Sequence, residues 1–175
     1  MKNTVRYLIL ALLAPTTAFA LTAAPQPRRA VDMAFFSGQW HEIARTDNWR
    51  QKDCEAPTYL FEPTRNPTTA SFTLTCHHGS PKGKAESIKV SIKVPQDQAR
   101  NKFKVSAMGG LLATEYWVID IAPDNSWSIL ATSGGGYVWL LARKPDLDAA
   151  TRTRILADIR AMGYDMNKIV LPKQG

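Results

Sequence analysis

Three histidines and two cysteines carry the most reactive side chains of this sequence, and their spacing argues against a catalytic or metal centre. His77 and His78 are adjacent in a run that reads as extended. Neighbouring side chains there leave opposite faces, so the pair cannot close on one metal ion in regular strand geometry. His41 stands alone. The chain has no Gly-x-Ser-x-Gly elbow, no phosphate-cradling glycine loop, no His-Glu-x-x-His and no paired-thiol metal spacing. The expectation is a protein that is not an enzyme and uses neither metal nor cofactor. Glu42 is the acid in an awkward place: two residues from Trp40 on a strand, it follows that tryptophan inward if Trp40 turns inward, and a lone buried carboxylate is costly. Arg143 is one candidate partner and solvent at the end of the fold is the other. An ion pair is expected over a role in reading a ligand head group.

The cysteines point outside the cell. Lys2 and Arg6 flank the start of an apolar run over 7–14, and Ala18-Phe19-Ala20 supplies a small-x-small cleavage pattern, so residues 1–20 read as a secretory signal. Eight apolar residues fall far short of the roughly 20 that span a bilayer. Cleavage leaves 175 − 20 = 155 residues and, with Lys2 and Arg6 gone, takes the net charge from +7 to +5. No cysteine stands at the new N-terminus to carry lipid, so the expected product is periplasmic or secreted and not anchored. In an oxidising compartment Cys54 and Cys76 should pair. Reflecting Cys54 through Arg65, the centre of the turn Pro63-Thr64-Arg65-Asn66-Pro67, lands on Cys76 (65 − 54 = 11; 76 − 65 = 11), which in a symmetric hairpin sets the two directly opposite.

The elements that must position these residues have a period of two. Ile88, Val90, Ile92 and Val94 alternate with Ser87, Lys89, Ser91 and Lys93, and after a polar turn Phe103 and Val105 alternate with Lys102 and Lys104. Further strands are read over 39–46, 57–62, 69–77, 115–122, 127–132 and 137–143. Eight strands at hairpin spacing suit a closed antiparallel up-and-down barrel, which has no free edge and holds one small ligand. Lys82, Lys84, Lys89, Lys93, Lys102 and Lys104 then form a solvated outer face, and no nucleic-acid stripe is seen. One helix follows, with Asp146 as cap, Ile155, Ile159 and Met162 as its apolar stripe, and Gly163 as its stop. It should pack outside the barrel, with a short strand over 168–171 behind it. Residues 21–30, rich in proline and arginine, read as a flexible lead-in, and 31–175 as one domain.

Three segments resemble the lipocalin family. Gly38-Gln39-Trp40 is similar to the Gly-x-Trp signature that opens the first lipocalin strand. Tyr116-Trp117-Val118-Ile119-Asp120 leading to Asp124-Asn125-Ser126-Trp127 resembles the second block. Tyr137-Val138-Trp139-Leu140-Leu141-Ala142-Arg143 resembles the third, which ends in an arginine. The likeness is strongest to the bacterial and apolipoprotein D-like members. His41 stands where a tyrosine is usual in the family. The resemblance implies that Trp40 plugs the closed end under a stacked Arg143, which bonds carbonyls near Phe35 and Phe36, with Gly38 easing the turn into the strand. It also implies a lumen walled by Tyr59, Phe61, Phe103, Val105, Trp117, Ile119, Trp139 and Leu141. The function it implies is carriage of a small apolar ligand such as a fatty acid or lysophospholipid. The alternative is a filled barrel that binds a protein or membrane surface through its loops. The mouth loop 107–114, with Gly109-Gly110-Leu111-Leu112, is read as a lid or a lip making transient membrane-surface contact.

Overall fold

The computed structural model describes residues 22–94, 96–97, 99–107 and 112–175, so the expected secretory signal over 1–20 and the tip of the 107–114 loop lie outside the described residues. Eight strands follow in order: β1 (Gly38–Thr46), β2 (Cys54–Pro63), β3 (Thr69–His78), β4 (Ala85–Lys93), β5 (Lys102–Ala107), β6 (Leu112–Ile121), β7 (Trp127–Thr132) and β8 (Val138–Ala142). Each pairs antiparallel with the next, and β1 pairs with both β2 and β8, which closes the ring. This is the eight-stranded up-and-down barrel that the alternating pattern requires. The helix α1 (Ala149–Ala161) lies outside it, and β9 (Ile169–Val170) adds antiparallel to the end of β1.

Two apolar clusters explain the sequence pattern. Inside the ring lie Trp40, Phe61, Phe103, Val118, Leu130, Trp139 and Leu141 with Phe35 and Phe36. Outside, Ile43, Ile119, Ile129, Val138 and Leu140 pack under Ile155 and Ile159 of the helix. Strands β6 to β8 are therefore covered on both faces, which is why they read as continuous apolar runs while β2 to β5 alternate. The helix is capped by Asp148, whose carboxylate accepts from the Thr151 N–H at 2.9 Å, two residues later than the expected Asp146. Pro145 and the residues after it are taken up in crossing from β8 to the helix.

Register departs from the expected hairpin at two points. The β2–β3 turn centres between Asn66 and Pro67, because Pro63 faces Ala70, and a bulge between Glu55 and Thr58 then moves the pairing by one, with Ala56 at φ +43°. Cys54 consequently faces His78, and its disulfide to Cys76 runs diagonally, with 5.1 Å between the Cα atoms. The second departure is β4. Its alternation is the most regular in the sequence, yet Ile88 is 54% exposed and Ile92 is buried. Among the described residues β4 meets β5 through Ser91, Ile92 and Lys93, and β3 along its whole length.

Residues 22–30 do not trail free. The Ala24 N–H donates to the Ser133 carbonyl at 2.9 Å, the Arg28 N–H to Ile119 at 3.0 Å and the Val31 N–H to Ala99 at 2.7 Å, so the segment runs down the outer wall from one end of the barrel to the other. Arg28 and Arg29 reach the buried Asp120 at 3.2 and 3.5 Å. The two arginines of the expected flexible lead-in have a carboxylate on β6 to pair with.

Candidate functional site: a cup closed at one end

The closed end is built first. Asp32 caps the short turn Met33–Phe36 by accepting from the Ala34 and Phe35 N–H groups, and this turn crosses the barrel base with Phe35 and Phe36 fully buried. The Trp40 indole N–H donates to the Phe35 carbonyl at 3.1 Å. The Arg143 guanidinium lies 3.7 Å over the Trp40 ring and donates to the carbonyls of Ala34, Ser37 and Gln39 at 2.8 to 3.1 Å. Gly38, at φ +74°, brings the chain within 3.5 Å of that guanidinium at the point where a Cβ would stand. A planar fork reaching three carbonyls while stacked on indole is a task for arginine.

Above the plug the lumen is not filled. A cavity of about 210 Å³ lies beneath the turn Trp49–Gln51 and the β7–β8 loop, walled by Tyr59, Phe61, Phe72, Leu74, Phe103, Val105, Tyr116, Leu130 and Trp139. Of the eight residues expected in the lumen, five line this cavity: Tyr59, Phe61, Phe103, Val105 and Trp139. Leu141 belongs to the inner core but not to the cavity wall. Trp117 and Ile119 are on the other face, Trp117 partly buried and Ile119 fully buried in the outer cluster. The reason is register: Phe103 faces Tyr116 and Lys102 faces Trp117, so Tyr116 shares the inner face and the Lys102 ammonium sits 4.0 Å over the Trp117 ring outside. Because β6 is apolar on both faces, its parity cannot be read from its own residues.

Glu42 is inward and fully buried, but Arg143 is not its partner. Arg45 donates to one carboxylate oxygen at 2.8 Å, and Gln51 and the Tyr59 hydroxyl donate to the other, each at 2.7 Å. A β-bulge between Glu42 and Ala44 makes this possible: it turns Ile43 and Ala44 outward together and returns Arg45 to the inside. Gln51 is the hub of the cluster. Its side-chain amide oxygen accepts from the Asn48 side chain at 3.0 Å and from the Trp139 indole at 3.1 Å, so the turn is pinned to β1, β2 and β8 at once. Burial drives the Glu42 carboxyl above the usual carboxylate range, opposed by Arg45 and the two other donors. Burial and the adjacent Glu42 hold the Tyr59 phenol well above its ordinary value. Arg45, Gln51, Phe72, Tyr116 and Leu130 carry no sequence signal as site residues, because a bulge, a turn or a cross-strand register decides where each one points.

The histidines form no centre. His78 lies 3.0 Å from Glu86 on an exposed rim, and His41, its pKa lowered by partial burial against the pull of Asp146, touches Gln39 at 3.3 Å on the outer side of β1. Among the described residues no three His, Cys, Asp or Glu side chains are grouped to hold a metal ion.

A ring of eight strands with a tryptophan–arginine base, an aromatic cavity above it and one helix on its side defines a ligand-sized cup. The chain belongs to the lipocalin family, whose lipocalin-like domain matches residues 31–174. It is similar to temperature-induced lipocalin-1 of Arabidopsis thaliana, with 24% identity over 149 residues that cover 81% of this chain and 78% of that one. Among solved structures it is similar to insecticyanin of the tobacco hornworm Manduca sexta, with TM-score 0.67, 16% identity and 86% and 85% of the two chains covered. It is also similar to lobster apocrustacyanin A1, with TM-score 0.61, 12% identity and 88% and 92% covered. At these identities the solved structures speak for the fold.

Proposed function

We propose that this chain is exported and carries a small apolar molecule, of the fatty acid or lysophospholipid class, in the cup. The observation that carries the reading is the cavity of about 210 Å³ left open above a packed base and walled by Phe61, Phe72, Phe103 and Leu130. Lipocalins as a family bind small hydrophobic molecules, and this lumen has the same construction. A ligand burying roughly 300 Å² of apolar surface there gains several kcal/mol before ordering costs, enough for about micromolar affinity without any covalent step. The disulfide and the signal-like residues 1–20 support an extracytoplasmic site of action. In an exporting host the mature protein is expected to begin at Leu21, read by N-terminal sequencing.

Binding is tested with the neutral dye N-phenyl-1-naphthylamine, whose fluorescence rises in apolar cavities. Val105→Trp fills the lumen and is expected to abolish uptake while the thermal midpoint holds. Trp117→Ala, on the outer wall, is expected to leave uptake within about twofold. Uptake that survives Val105→Trp, or a wild-type protein that takes up no dye, overturns the carrier reading and leaves a barrel that works through its loops.

A further inference from the structure

A second cleft opens at the closed end of the barrel. Its volume is about 560 Å³, and it lies between the wall segment at Arg29 to Asp32, the β4–β5 turn at Arg100 and the β6–β7 turn at Pro123 and Asn125. Its floor is apolar, with Val31, Ile121 and Ala122 only 2%, 3% and 4% exposed. Its charged lining residues are Arg29, Arg100 and Asp32.

The fold holds the two arginines on adjacent chains. The Val31 N–H donates to the Ala99 carbonyl at 2.7 Å, and the Asn101 side-chain amide donates to the Arg29 carbonyl at 2.9 Å. Arg100 stands between the two laced residues of its turn, and Ala30 between those of the wall segment. The Arg100 N–H donates to the Asp97 carboxylate at 2.7 Å, which fixes the turn with Arg100 at φ +45°. Arginine has no preference of its own for that left-handed conformation. Of the four non-glycine residues with positive φ among the described residues, two, Arg100 and Asn125, line this cleft. Backbone held in such conformations collects at functional sites.

The acids around the cleft are satisfied and the arginines are not. Asp32 accepts from the Ala34 and Phe35 N–H groups with one oxygen and from the Asn125 amide with the other. Asp120 takes the Ile121 N–H and Arg29 Nε with one oxygen and Arg28 with the other. Arg29 is thereby engaged only through Nε, at 3.5 Å, and its two terminal nitrogens have no partner among the described residues. The Arg100 guanidinium has no ion pair among the described residues either. Arg143, also at this end, is by contrast spent on three carbonyls and the Trp40 ring.

We propose that this cleft binds a small organic anion, a carboxylate or a phosphate ester, with its oxygens held by Arg29 and Arg100 and its apolar body laid on Val31 and Ile121. The planar guanidinium fork matches either oxyanion. The apolar floor favours an anion with a hydrocarbon body over a bare inorganic one. Because Phe35, Phe36 and Trp40 close the barrel base, the cleft is a second site, and it stands or falls apart from the carrier reading.

Phenyl phosphate, benzoate and benzyl alcohol, each titrated into the protein and followed by backbone amide NMR shifts, test it. At least one of the anions is expected to bind saturably and about tenfold tighter than the alcohol, and whichever leads identifies the head group. The largest shifts are expected over 29–32, 99–101 and 121–125. Saturating the cup with N-phenyl-1-naphthylamine is expected to leave this binding unchanged. Arg100→Gln is expected to weaken anion binding about tenfold. Arg100→Gly, which suits the left-handed backbone, is expected to weaken it as much while the thermal midpoint holds or rises. Several outcomes overturn the proposal: no saturable shift with either anion, equal binding of all three compounds, shifts confined to lumen residues such as Phe61 and Phe103, or Arg100 variants that bind as wild type. A midpoint that falls in Arg100→Gly assigns the residue to the fold and overturns it too. None of these results touches the carrier reading, which is decided by dye uptake.

Discussion

Arg143 is held by three carbonyls and one indole, and only a guanidinium reaches all four. Lysine at this position keeps the charge and loses the fork. Arg143→Lys is expected to cost about 2 kcal/mol of unfolding free energy in urea titration, more than half of what Arg143→Ala costs. A lysine variant within about 0.5 kcal/mol of wild type would remove the fork from the account. This site was legible in the sequence through the lipocalin resemblance of Gly38-Gln39-Trp40 and of the block that ends in Arg143. Glu42's partner was not. Arg45 is three residues away on the same strand and by plain alternation points outward; the bulge at Glu42/Ala44 puts it back inside.

At the scale of elements, period two located the strands with one wet face, β2 to β5, while β6 to β8, covered on both faces, read as continuous apolar runs. What alternation cannot give is the offset between neighbours. Cys54 and Cys76 were placed on facing strands by sequence, but the turn centre and the Ala56 bulge set them diagonal, and β6, dry on both sides, hid that Tyr116 and not Trp117 looks inward. The disulfide closes a loop of 22 residues that contains the whole β2–β3 hairpin. Cys54→Ala/Cys76→Ala is expected to lower stability by about 3 kcal/mol in the chain-entropy account, read as a drop in the urea midpoint with an altered m-value as the unfolded chain expands. No change in midpoint would mean that the hairpin is held by its ladder and the lumen aromatics alone.

For the whole molecule, the decisive fact is that β6, β7 and β8 are the shared wall of two cores, one in the lumen and one under α1. Burial on both sides also brings phenols into dry surroundings. The Tyr164 hydroxyl is buried without a protein partner among the described residues, its pKa pushed up to about 12 by desolvation, and Tyr59 and Tyr116 are raised as well. An unfolded tyrosine releases its proton near 10, while the folded Tyr164 keeps it until about 12. The stabilisation is therefore complete below pH 10 and is lost as the pH rises towards 12. The urea midpoint is expected to fall through that range. Tyr164→Phe should flatten the fall and, by removing an unpaired buried hydroxyl, stabilise the protein at neutral pH by about 1 kcal/mol. A variant that tracks wild type across the alkaline range would assign the loss to other groups.

The run of residues 22–30 down the outer wall has a practical consequence for anyone handling this protein. Ala24 is fastened to Ser133 at the open end, and at the other extremity Ala56 donates to the Lys173 carbonyl, also at the open end. A purification handle or fluorophore fused to either extremity therefore starts beside the opening of the cup. Grafted instead into the 64–68 turn beneath the plug, it sits a full barrel length away.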